Sequence, residues 1–197
     1  LRNIKKYLRV GQLISLESTT YPGTTRELIA NKIKKNFKLG QNFFLSFSPE
    51  RENPGENSIL NNKITKVCGG YSKNCREIAK KIYEKIAPIK TVSSLEIAEM
   101  TKLHENIYRT VNISLVNEMK MICDKFGINI YEVIEAAKTK PFGFNSFYPG
   151  PGIGGHCIPV DPFYLVWACE KKNVKTDFIN LSARINEKLS SWILKKI

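Results

Sequence analysis

The hydrophobic pattern of this 197-residue chain changes character at Ser93. Before that point apolar residues fall in short runs between turn residues, the pattern of strands alternating with helices. Residues 12–17 predict a buried strand, and after a polar stretch Thr24 or Thr25 can cap a helix to about Phe37. A second strand is predicted at 41–47, ending in Ser48-Pro49-Glu50-Arg51, and a Pro/Gly/Asn-rich loop at 52–62. A third strand at 65–68 is expected to stop at Gly69-Gly70, before a helix at about 72–86 and a short strand near Thr91-Val92. From Ser94 to Phe126 there is neither proline nor glycine. Met100, Leu103, Ile107, Val111, Leu115, Met119, Ile122 and Phe126 recur there at steps of three and four, which predicts one very long helix. Gly127 ends it, and further helices are expected at 130–139, from about Pro162 to 172, and from Asp177 onward.

The fold class that follows is α/β: the latter half of a doubly wound, Rossmann-like domain over 1–92, then an all-helical domain over 93–197. Ligands of such sheets bind beyond the carboxyl ends of the strands, where residues 18–20 and Pro49-Glu50 fall. Both ends of the chain look cut, since it lacks an initial Met and finishes inside a helical pattern.

Composition narrows the classes. At 42% apolar and 10% aromatic the chain can build a core. No apolar run is long enough to cross a bilayer, and no membrane partner is expected. The net charge is +13, but its lysines are scattered in pairs on helix faces rather than clustered with Arg and aromatics, so nucleic acid is not an expected partner. The five cysteines are odd in number and none forms Cys-x-x-Cys, which points to a reducing compartment, the cytoplasm, with no disulfide framework.

The candidate chemistry centres on residues 147–161. Four glycines and three prolines there surround His156-Cys157, with Asp161 four residues on. Packing a cysteine needs no such loop, whereas presenting a nucleophilic thiolate just ahead of a helix does. Residues 150–155 match G-x-G-x-x-G, but a helix precedes them and a proline sits inside, so they are not a dinucleotide fingerprint. Lys102, Asn106 and Arg109 share one face of the long helix and form either a solvated surface or a stabiliser of developing oxygen charge. Glu50 is either a loop carboxylate or a base. His104 lies off that face, and with two histidines in the chain no metal site is expected.

Four stretches together carry a family resemblance: Glu17-Ser-Thr-Thr-Tyr-Pro-Gly-Thr-Thr25, Ser48-Pro-Glu-Arg-Glu-Asn-Pro-Gly55, Lys102-Leu-His-Glu-Asn-Ile-Tyr-Arg-Thr-Val-Asn112, and Thr139-Lys-Pro-Phe-Gly-Phe144 leading into Gly154-Gly-His-Cys-Ile-Pro-Val-Asp-Pro162. The chain resembles the UDP-glucose/GDP-mannose dehydrogenase family, most closely the branch acting on UDP-N-acetylglucosamine and UDP-N-acetylmannosamine. UDP-glucose 6-dehydrogenases tend to carry a second acid where this chain has Pro54.

The resemblance implies NAD-dependent, four-electron oxidation of the sugar C6 alcohol to a carboxylate. UDP-N-acetylglucosamine is the expected substrate, with UDP-N-acetylmannosamine or UDP-glucose as alternatives. It implies that Cys157 attacks the C6 aldehyde, that Lys102 and Asn106 stabilise charge at the oxygen, and that Asp161 and Thr19 order water. It further implies that Thr19 and Glu50 lie at the cofactor, with Glu50 a possible base. Ser146, Phe147, Tyr148, Pro149, Gly150 and Gly154 would hold the UDP-sugar, and the helical domain would form a homodimer. The family's NAD fingerprint would lie before residue 1 and its second UDP-binding domain after residue 197. A non-catalytic dimerisation or UDP-sugar-binding fragment is the alternative reading.

Overall fold

The structure is a computed structural model and describes residues 2–51, 64–155 and 157–196. His156, the side chain of Cys157 and the segment 52–63 with Pro54 lie outside the described residues. Two compact units divide the chain, Leu1–Leu103 and His104–Ile197.

The first unit is a mixed four-stranded sheet in the order β1-β2-β3-β4: β1 (Leu13–Leu16), β2 (Phe44–Phe47), β3 (Lys66–Gly70) and β4 (Ile89–Val92). Two parallel crossover units meet back to back. β1 pairs parallel with β2 through a π-helical stretch, Thr25–Ala30, that runs into α1 (Asn31–Ile33). β3 pairs parallel with β4 through α2 (Lys73–Tyr83), and β2 meets β3 antiparallel at Phe47 and Gly69. Alternation puts Val67 and Cys68 on opposite faces of β3, and both are buried, so helices cover the sheet on both sides.

Two expectations need correction here. The third strand does not stop at Gly69-Gly70 but runs through both. A Cβ on Gly69 would lie 2.2 Å from the Ser94 carbonyl oxygen, and one on Gly70 2.3 Å from the Arg76 amide nitrogen. These glycines serve close backbone approach rather than a turn. The hydroxyls of Thr24 and Thr25 do not cap the helix that follows. Thr24 is the capping position but makes no side-chain cap bond, and that helix ends at Ile33 rather than Phe37.

The long helix α3 spans Leu95–Phe126, as its period predicts, and crosses the division between units. The second unit adds α4 (Ile130–Lys138), α5 (Cys157–Glu170) and α6 (Asp177–Leu194). Val116, Cys123, Ile130 and Ile134 form its buried apolar cluster. The expected start of α5 at Pro162 is wrong by five residues. Pro159, third in the helix, removes an N–H that has no intrahelical acceptor anyway. Pro162 does remove one, which frees the Ile158 carbonyl, and the Thr110 hydroxyl lies 3.5 Å from that oxygen.

Candidate active site

In the first unit the predicted residues gather at the carboxyl ends of β1 and β2. Thr19 lies half-buried in the segment after β1, and Glu50 is exposed just past β2. The Lys102 ammonium is nearly buried and donates to the Glu50 backbone carbonyl at 2.6 Å. The Glu50 carboxylate points elsewhere, accepting from the Arg51 amide at 2.8 Å and the Lys66 ammonium at 3.0 Å. Lys102 thus meets this loop through its backbone.

One turn earlier on α3, sequence reasoning missed a residue. Glu99 is fully buried and its carboxylate accepts from the Gly23 amide at 2.5 Å, the Thr25 amide at 2.9 Å and the Thr25 hydroxyl at 2.7 Å. It does the capping that Thr24 and Thr25 were expected to do. Burial pushes the Glu99 carboxyl above the ordinary range, although the bonds from Thr25 and Gly23 pull the other way. Glu99 and Lys102 hold the loops beyond β1 and β2 to one face of a single helix. At the end of β2 the Ser48 hydroxyl is buried without a hydrogen-bond partner among the described residues. An unmet polar group beside these loops fits a ligand placed beyond the strand ends, as a dinucleotide is in doubly wound sheets.

In the second unit, Asn106 and Asp161 come together. The Asn106 amide is fully buried and donates to the Asp161 carboxylate, itself nearly buried in the second turn of α5. The Arg109 guanidinium donates to the Asn106 side-chain oxygen at 2.6 Å. Both ends of that amide are therefore fixed, in an orientation that the partners dictate. Cys157 opens α5, four residues before Asp161.

The loop at 146–150 is tied down by partners that no motif singles out. The Asn145 amide donates to the Tyr108 hydroxyl at 2.8 Å, the Tyr148 hydroxyl donates to Glu135, and the Gly150 amide donates to Asn117 at 3.2 Å. Phe147 stacks edge-on against Tyr108 with ring centroids 6.0 Å apart. Ser146 and Pro149 are half-buried, whereas Gly154 is exposed. Gly154 borders a cavity of about 400 Å³ with Gly152, Ile158, Pro159, Pro162 and Asn186 in its lining. Among the described residues no three His, Cys, Asp or Glu side chains are grouped to hold a metal ion.

Two family models match the chain: the NAD binding domain of the UDP-glucose/GDP-mannose dehydrogenase family over residues 1–87, and its central domain over residues 96–188. The chain belongs to the UDP-glucose/GDP-mannose dehydrogenase family. Among the dehydrogenases it resembles, the UDP-N-acetyl-D-mannosamine dehydrogenase of Methanocaldococcus jannaschii is 39% identical over the whole of this chain and 44% of its own. The UDP-N-acetyl-D-glucosamine 6-dehydrogenase of Pseudomonas aeruginosa is 34% identical over 99% of this chain and 47% of its own. A solved UDP-D-ManNAc dehydrogenase of Pyrococcus horikoshii superposes with a TM-score of 0.89 at 32% identity, covering 97% of this chain and 45% of that one. The chain therefore spans a little under half the length of the dehydrogenases it matches.

Proposed function

We propose that this chain carries the chemical centre of a UDP-N-acetylhexosamine 6-dehydrogenase, which oxidises the C6 alcohol of the sugar to a carboxylate. The observation that supports it best is the Asn106–Asp161 pair, which fixes an amide and a carboxylate beside the first turns of the helix that Cys157 opens. NAD supplies the hydride acceptor for both oxidation steps.

On this reading the Cys157 thiolate adds to the C6 aldehyde and forms a thiohemiacetal, whose oxygen takes up a proton. Loss of hydride from that carbon, with release of the hydroxyl proton to water, leaves a thioester, and water attacks it to release the carboxylate and regenerate the thiol. The start of a helix favours a thiolate, because its first N–H groups carry positive partial charge. Lys102 and Asn106 supply N–H donors for the developing oxygen charge, and Asp161 orients the water, with Thr19 assisting. Glu50 stands beyond β2 as a base at the cofactor. Its carboxylate lies 3.0 Å from the Lys66 ammonium, at the edge of that site. The backbone of 146–150 and Gly154 seats the UDP-sugar. Relatives named for N-acetylmannosamine and for N-acetylglucosamine match at similar identity, so the reading extends to both epimers. The outward apolar row on α3, including Leu115, Met119 and Phe126, supports a homodimer through the helical domain.

The test is NADH formation by the whole protein from UDP-N-acetylglucosamine, UDP-N-acetylmannosamine and UDP-glucose. Two NADH per sugar are expected from an N-acetylhexosamine. Cys157→Ser should abolish acid formation, because an alkoxide is a far poorer leaving group than a thiolate. Two NADH per sugar at the normal rate in that variant would overturn the thioester route.

A further inference from the structure

Within the second unit a buried polar ladder runs along α3 and ends at the loop assigned above to the UDP-sugar. Thr110, Ser114 and Asn117 are all buried and lie on one face at steps of four and three. The Ser114 hydroxyl lies 2.7 Å from the Thr110 carbonyl and 2.9 Å from the Ser182 carbonyl of α6. The Asn186 amide donates to Ser114 at 2.6 Å and to the Ser182 carbonyl at 3.1 Å. The Asn117 amide donates to the Asn186 side-chain oxygen at 2.9 Å. The Asn117 oxygen, its donor end thus occupied, accepts from the Gly150 backbone amide at 3.2 Å.

The direction of each amide in this ladder is forced. Asn186 must point its NH2 at a carbonyl and a hydroxyl, so it offers oxygen to Asn117. Asn117 must then present oxygen to Gly150. A flip of either side chain would set donor against donor in a buried site, at a cost no exposed amide would meet. Asn117 is fully buried and holds a glycine that has no side chain of its own to anchor it. Neighbouring anchors are weaker: Tyr148 is 46% exposed and Asn145 is exposed, so water competes for their bonds.

We infer that Asn117 is a positioning residue for the nucleotide-sugar site. It fixes the backbone at Gly150, and through it the loop 146–150, from a side chain that never touches substrate. The inference rests on the reading that this loop holds the UDP-sugar.

The experiment compares Asn117→Ala, Asn117→Asp and Ser114→Ala in the whole protein. The readouts are UDP-N-acetylglucosamine affinity by calorimetry and amide hydrogen exchange of the peptide containing Gly150. Asn117→Ala should weaken affinity about tenfold, the scale of one lost hydrogen bond, and speed exchange at Gly150. Asn117→Asp keeps an oxygen facing Gly150, and in its protonated form still donates to Asn186, so affinity should return to within about threefold of wild type. Ser114→Ala breaks the same ladder without touching the loop and should lower the melting temperature while affinity stays. Asn117→Ser, too short to reach Gly150, repeats the comparison with a smaller cavity if the alanine variant does not fold. Equal weakening in Ser114→Ala and Asn117→Ala would reduce Asn117 to a general structural role and overturn the inference. So would unchanged exchange at Gly150 in Asn117→Ala. Wild-type protein that binds no UDP-sugar would instead sink the functional reading, and the exchange data would still decide whether Asn117 holds Gly150.

Discussion

Glu99 and Lys102 lie one turn apart and were not equally visible in the sequence. The i+4 spacing of Lys102 and Asn106 left a solvated face and a charge stabiliser both open, and the family motif around them selected Lys102. Glu99 had no such mark, since Glu96, Glu105 and Glu118 on the same helix look alike in sequence. Only burial separates it: three donors converge on a carboxylate that no water reaches. Replacing it by glutamine aims an NH2 at backbone N–H groups and leaves a buried donor unmet, a loss of about 1–3 kcal/mol. The pH dependence has a definite sign. Because burial raises the Glu99 carboxyl above its unfolded value, its stabilising share is complete below the ordinary glutamate range and is lost as pH rises through the raised value. The advantage of wild type over Glu99→Gln, measured by urea unfolding across a pH series, should therefore shrink as pH increases. An advantage that grew with pH would mean the three donors outweigh burial.

At the scale of elements, the alternation of strand and helix was legible because it lies in local apolar rhythm. The start of α5 was not, because proline reads as a boundary in sequence, and here Pro162 is tolerated inside a helix beside a threonine fifty-two residues earlier in the chain. The antiparallel join of β2 and β3 depends on pairing across 52–63, which no local pattern encodes. Gly69 was visible but misassigned: two adjacent glycines look like a turn, yet both lie within β3, Gly70 against the first turn of α2 and Gly69 beneath the start of α3. Its neighbour is backbone, the Ser94 carbonyl group, which cannot swing aside as a flexible side chain could. Gly69→Ala should therefore destabilise the first unit by about 1–3 kcal/mol or more, read as a lower denaturation midpoint with unchanged m-value. Full stability in that variant would show that α3 can slide on the sheet without cost.

The whole molecule turns on what α3 presents to each side. Beside the buried apolar Leu95, Ala98, Leu103, Val116 and Cys123 it buries a polar series: Glu99, Lys102, Asn106, Thr110, Ser114 and Asn117 all lie within reach of loops or helices that need donors and acceptors. The apolar period that revealed the helix is largely on the other face, where Met100 is 40% exposed, Leu115 56% and Phe126 74%. Periodicity identifies a helix but does not say which neighbour its apolar face meets, and that is why the sequence alone could not rank these positions. An outward row of this kind costs hydration free energy in a lone chain, at about 25 cal/mol for each Å² left in water. A second copy related by a two-fold axis would bury the same row twice. A charge at its centre would then be desolvated in both copies at once, with a like charge facing it. Leu115→Glu, at a position already open to solvent, should leave the fold intact by circular dichroism and shift the protein from dimer to monomer in sedimentation equilibrium. A wild-type protein that is monomeric at micromolar concentration, or a Leu115→Glu variant that remains fully dimeric, would remove α3 as the dimer contact.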